Sequence, residues 1–180
     1  WKLPDLMKKH LFLLSSLGFL AACHPSASNP HAEGKYFDIR HYFQQEALRL
    51  NKAKPLVEKT VVVNGAEEKK KVSIADWNRE FSVFSDADIN KSAWKGAFKI
   101  TKTKTGELYV NTEDKIPVKQ VFVYRAGDQV TGIKILQNTA NYLYNSVDTL
   151  VYYPDSLYQI SKTQHIKLLN AKAYKITGKF

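Results

Sequence analysis

The chain of 180 residues is 44% hydrophobic and 24% charged, with 8 Gly and 6 Pro, which excludes collagen-like, low-complexity and wholly disordered proteins. A single cysteine excludes an intrachain disulfide, and with five scattered histidines it excludes a His/Cys zinc cluster. The net charge of +10 raises the question of nucleic acid, and its distribution answers against it. Lys95, Lys99, Lys102 and Lys104 are spread along the chain as on the solvent side of strands, and Lys69-Lys70-Lys71 follows Glu67-Glu68 in an expected hairpin loop. No nucleic-acid partner is expected; anionic lipid head groups are the better use of the charge.

Met7-Lys8-Lys9-His10 begins a basic segment, followed by the apolar run Leu11–Ala22, 12 residues long with small residues at its end. A basic start, a short apolar core and small residues describe a secretory signal, and the run falls short of the roughly 20 residues of a membrane-spanning helix. Trp1–Leu6 precede the Met and read as an upstream extension of that signal.

Leu20-Ala21-Ala22-Cys23 resembles the lipobox of bacterial lipoproteins. That resemblance implies a diacylglyceryl group on the Cys23 sulfur, with Leu20, Ala21 and Ala22 as the signal-peptidase recognition residues. It implies a partner as well, the membrane, held through acylated Cys23. His24–Gly34 is small, polar and Pro-containing, a tether that lifts the domain off the membrane. Surface-exported Bacteroidota lipoproteins resemble one another in acidic residues just after the cysteine. Here Glu33 is the first, so by that resemblance the protein faces the periplasm, on the outer membrane of the cell envelope. The expected organisation is signal and extension over 1–22, lipidated tether over 23–34, and a single α+β domain over 35–180.

The domain opens on Tyr36, Ile39, Phe43, Ala47 and Leu50, an apolar stripe of helical period, and Pro55 bars its continuation. Beyond it the period changes to two. Thr60–Val63 and Lys71–Ile74 predict a hairpin around Asn64-Gly65, with a loop longer than the tight two-residue type. Trp77, Phe81 and Phe84 mark one side of a short helix. Strands are predicted over Trp94–Ile100, Glu107–Val110, Val118–Tyr124, Val130–Leu136, Asn141–Tyr153, Leu157–Ser161, His165–Leu168 and Tyr174–Gly178.

Closely spaced strands without crossover helices predict an α+β fold, an N-terminal amphipathic helix on a curved antiparallel meander, as in an incomplete barrel. In element order, over residues 36–180, the chain resembles the periplasmic lipoprotein carriers of the localisation pathway, whose curved sheet and helices enclose a hydrophobic cavity. It is also similar to small Bacteroidota lipoproteins.

Chemistry-bearing motifs are sparse. Asp86-Ala87-Asp88-Ile89-Asn90 opens like a calcium loop, but Lys91 and Ala97 stand where Gly and Glu belong; capping of a helix or turn accounts for the same letters. The sequence has no Gly-x-Ser-x-Gly elbow, phosphate loop or His-Glu-x-x-His motif, so neither catalysis nor a cofactor or metal is expected. Tyrosine can line a cavity or merely stack across strands. Tyr142 and Tyr144 are expected to share one strand face and, with Trp94 and Phe98, form the candidate ligand-facing set. The expected function is non-catalytic binding of a hydrophobic or envelope-derived ligand. The alternative is a structural accessory subunit of an envelope protein complex.

Overall fold

The computed structural model describes residues 36–167 and 171–180; Leu20, Ala21, Ala22, Cys23 and the tether lie outside the described residues. Helix α1, Ile39–Ala53, buries Ile39, Phe43, Ala47 and Leu50, the stripe read from the sequence. It starts three residues later than Tyr36 because the Asp38 carboxylate caps it, accepting from the His41 N–H at 2.8 Å. It ends at Lys54, whose left-handed backbone directs its N–H to the Leu50 carbonyl, and Pro55 follows. Tyr36 is buried ahead of the helix, its hydroxyl oxygen accepting from the Phe98 N–H at 3.1 Å.

Strands β1, Leu56–Val63, and β2, Ala66–Ser73, pair from Leu56 opposite Ser73 to Val63 opposite Ala66. The loop is therefore Asn64-Gly65 alone, shorter than predicted, and both residues have positive φ (49° and 92°) as a two-residue hairpin turn demands. Glu67–Lys71, expected in a loop, lies inside β2. An edge strand with no buried residue carries no alternating pattern, and its charges discourage pairing with another chain.

Then come two short helices, α2 (Trp77–Glu80) and α3 (Ser82–Asp86), and a 3-10 turn over Ser92–Trp94. Seven further strands run as a meander: β3 (Phe98–Thr103), β4 (Gly106–Asn111), β5 (Val118–Ala126), β6 (Gln129–Ala140), β7 (Tyr144–Tyr153), β8 (Leu157–Ile166) and β9 (Lys172–Lys179). Among the described residues the nine strands form one curved, open antiparallel sheet in the order β2-β1-β9-β8-β7-β6-β5-β4-β3. Because β2 and β3 are opposite edges, residues 74–97 must traverse the sheet from edge to edge. They do so over one face, together with α1, and among the described residues nothing covers the other face, the bare face.

Three strand predictions are corrected. Trp94 ends a 3-10 turn, and the Gly96 backbone at φ 86° separates it from β3. Asn141–Leu143 is the turn between β6 and β7, where the Asn141 side chain accepts from the Leu143 and Tyr144 N–H groups. Leu157–Ile166 is one strand rather than two, since Lys162, Thr163 and Gln164 pair continuously with β7 and β9.

The core lies between the helices and the sheet. Phe43, Phe81, Phe84, Trp77, Tyr152 and Tyr158 are fully buried there, with ring centroids 4.7 to 6.5 Å apart. Gly178 makes room for this packing, because a Cβ at that position would stand 2.1 Å from the Tyr158 ring.

Candidate functional site

The helix-covered face has a closed end and an open end. At the closed end Tyr152 and Tyr158 stand directly opposite each other on β7 and β8. Each ring is buried, and each hydroxyl donates to a carboxylate on a helix above. Tyr152 donates to Glu46 Oε2 on α1, and Tyr158 to Glu80 Oε1 on α2 at 2.6 Å. Each carboxylate is in turn held by a cation. Arg49 donates from Nη2 and Nε to Glu46 at 2.9 and 3.1 Å, and reaches Asp155 at 2.8 Å. Lys59 of β1 donates to both Glu80 oxygens at 2.7 and 2.9 Å. A third arrangement joins Tyr109 to Glu107 at 2.8 Å, with Arg125 beyond.

Burial, then donation to a carboxylate, pushes the Tyr152, Tyr158 and Tyr109 hydroxyls above the ordinary tyrosine range. A hydroxyl that holds its proton and hands a hydrogen bond to a cation-paired carboxylate is a bracket, and those of Tyr152 and Tyr158 fix helix to strand. These brackets account for the raised Tyr152, Tyr158 and Tyr109 hydroxyls without assigning them chemistry.

At the open end, strands β5 to β9 continue past the helices and a cleft of about 270 Å³ lies over them. Its floor is Val118, Leu150 and Ile160, its walls Val83, Trp94 and Tyr174. Next to the floor runs a polar row, Gln137, Asp148, Lys162 and Tyr174, consecutive partners across β6, β7, β8 and β9. Lys162 Nζ lies 3.4 Å from Asp148 Oδ2, and the buried Ser146 hydroxyl donates to Asp148 Oδ1 at 2.6 Å. Lys91 Nζ donates to the Asp86 carbonyl at 2.9 Å and sits 4.3 Å from the Trp94 ring centre. The cleft is amphiphilic, an apolar floor beside one ion pair, and slightly smaller than the usual small-molecule site.

The four predicted aromatics do not come together. Trp94 lines the cleft. Phe98 is buried in the core, 5.4 Å edge-to-face from Tyr36. Tyr142 is 82% exposed in the β6–β7 turn under the Lys167 ammonium, so it shares no strand face with the half-buried Tyr144 at the start of β7. Leu150, Ile160, Asp148, Lys162 and Tyr174 were not singled out from the sequence. Alternation puts each on a definite side of its strand, but which side is covered follows only from pairing.

The Asp86–Asn90 run is an architectural clamp. Asn90 Oδ1 accepts from the Tyr36 N–H, its Nδ2 donates to the Tyr36 and Phe37 carbonyls, and Asp88 Oδ1 accepts from the Asn90 N–H. Asp88 also faces Arg40 of α1 at 3.6 Å. Among the described residues no group of three His, Cys, Asp or Glu side chains could hold a metal, and no helix is long and apolar enough to cross a membrane. Comparison with known protein families, with characterised proteins and with solved structures finds no match for this chain.

Proposed function

We propose that the chain is a lipid-anchored cell-envelope protein whose domain binds a hydrophobic or amphiphilic envelope-derived ligand without catalysis. The observation that carries this reading is the cleft at the open end of the helix-covered face. Leu150, Ile160, Val83 and Trp94 offer an apolar surface, and the Asp148–Lys162 pair offers a polar contact at its side. On this reading the sheet is an incomplete barrel, filled by α1, α2 and α3 at one end and open to ligand at the other. The anchor is Cys23, with Leu20, Ala21 and Ala22 recognised by the peptidase, and the domain faces the periplasm from the outer membrane.

Two experiments test the two halves of this proposal. A fluorescent alkyl probe titrated into the Glu33–Phe180 unit should bind, and Trp94→Ala with Tyr174→Ala should weaken it while the fold survives; equal affinity in the double variant removes the cleft from the function. Metabolic labelling with a fatty acid should mark the full chain and not Cys23→Ser; label persisting on the Ser variant defeats the anchor.

The alternative, a structural accessory subunit of an envelope complex, draws support from a different observation. The aromatic core is tightly packed, while apolar side chains such as Tyr153 and Val147 stay exposed on the bare face.

A further inference from the structure

The bare face of the sheet has a composition of its own. Strand alternation and the register place Leu108 beside Phe122, and Phe122 beside Lys134, in one row across β4, β5 and β6, which continues to Val151 of β7. Tyr124 and Tyr153 lie in the adjoining row, with ring centres 6.1 Å apart, and Phe122 is 4.3 Å from Tyr124. All are partly exposed, since nothing described lies over them. From β3 to β9 the charged residues that alternation turns to this side are Lys99, Lys134, Lys175 and Lys179, and no carboxylate. The carboxylates of this face, Glu58 and Glu67, are on the β1–β2 hairpin, where Glu58 is paired with Lys69 at 2.7 Å. On the helix side, by contrast, three opposite pairs form: Lys59 with Glu80, Lys162 with Asp148, Arg125 with Glu107.

We infer that the bare face docks on an anionic lipid surface, with Phe122, Tyr124 and Tyr153 entering the interface and Lys99, Lys134 and Lys175 meeting phosphate head groups. Aromatic rings with a polar tip partition to the boundary between head group and acyl chain. Lysine keeps its stem on apolar surface while its ammonium reaches water or phosphate. From β3 to β9 the surface carries apolar rows flanked by lysines and no carboxylate, and that part of it matches a negatively charged plane. An acidic protein would need only the lysines and would leave the aromatic row without a use. The inference is compatible with the lipid anchor proposed above and does not depend on it, since the test uses a unit without Cys23.

That unit is Glu33–Phe180, one compact body with its own core. It is mixed with sedimentable vesicles of pure phosphatidylcholine, or with one third phosphatidylglycerol, and the bound fraction is measured. Binding should require the anionic lipid and should collapse on raising salt from about 0.1 to 1 M, as the screening length shrinks from about 10 to 3 Å. Lys134→Glu with Lys175→Glu should lower partitioning by about tenfold or more, and Phe122→Ser should lower it at every salt concentration. Lys95→Glu with Lys115→Glu, the same charge change beside Trp94 on the helix side, should leave binding within about twofold. Circular dichroism confirms that each variant is folded, and a variant that is not is replaced by Lys134→Gln. Equal loss in both double variants overturns the inference, because net charge rather than this face would be responsible. Absence of vesicle binding alongside capture on a poly-glutamate column overturns it in favour of an acidic protein partner.

Discussion

The two ends of the helix-covered face are built from the same strands and differ in what lies over them. Over Tyr152 and Tyr158, α1, α2 and α3 supply Phe43, Trp77, Phe81 and Phe84 as ring partners and Glu46 and Glu80 as acceptors. Four residues along each of the same strands, Asp148 and Lys162 face a cleft bordered by one Trp and one Tyr. Length explains the difference. Strands β6, β7 and β8 have 12, 10 and 10 residues, or roughly 33–40 Å of sheet. Helices α2 and α3 have four and five residues, about 6–8 Å each. Short helices cannot roof long strands, so one end becomes core and the other remains available for binding.

The sharpest way to break that contrast is at Phe43, fully buried and in contact with Phe81, Phe84 and Tyr152. Phe43→Ala should cost about 3–5 kcal/mol, a large share of a typical domain's 5–15, and lower the urea midpoint of Glu33–Phe180 accordingly. An unshifted midpoint would mean that this end is no more a core than the cleft is. Arg40→Ala, on the exposed side of the same helix, should stay within about 0.5 kcal/mol, because its Asp88 partner is 3.6 Å away and the arginine is half exposed.

A second variant probes the bracket. Glu80→Ala leaves the Tyr158 hydroxyl and the Lys59 ammonium without their acceptor, at a cost of about 2–3 kcal/mol. Adding Tyr158→Phe should return part of that loss, since the orphaned hydroxyl disappears with it. A double-mutant cycle on urea midpoints reads the coupling, and strict additivity would show that the bond contributes nothing.

Much of the closed end was legible in the sequence. Ile39, Phe43, Ala47 and Leu50 recur at helical spacing, and Trp77, Phe81 and Phe84 do the same over a shorter span; all are buried. These residues declare their side locally, because a helix has one apolar stripe and the sheet must lie against it. The antiparallel meander was legible from closely spaced strands without crossover helices. The cleft was not. Asp148 and Lys162 are ordinary charged residues on alternating strands, and their meeting depends on a β7–β8 register set by the Pro154–Ser156 connection 6 to 8 residues away. Tyr142 and Tyr144 misled because alternation was extended through Asn141, whose side chain instead closes a turn. The brackets were equally hidden, since nothing in the sequence brings residue 46 to residue 152.

Alkaline pH probes the closed end through its tyrosines. Tyr152 and Tyr158 are held above their unfolded value of about 10. A raised acid of this kind contributes stability that is complete below the unfolded value and is lost as pH rises through the folded one. Stability should therefore begin to fall above pH ~10, by up to about 1.4 kcal/mol per pH unit for each group. Urea midpoints at pH 9 and 11 measure it. Tyr152→Phe should flatten the dependence, and an unchanged slope in that variant would remove the tyrosine from the effect.

The cleft itself should have only a small effect on stability, and it is the most telling. Lys162 and Asp148 are partly exposed, and the Asp148 carboxylate keeps its Ser146 hydrogen bond when Lys162 is removed. Lys162→Ala should therefore shift the midpoint by less than about 1 kcal/mol. If the cleft binds ligand, the same substitution removes the cation beside the Leu150–Ile160 floor and weakens an alkyl probe bearing a carboxylate more than one bearing a neutral head. The apolar contacts of the two probes are alike, so their difference isolates the polar row. Titrating both probes into wild type and variant gives that difference directly. Equal weakening of both would mean that Lys162 acts only by shaping the floor, and no change in either would return the open end of the sheet to the status of an unfilled margin of the core.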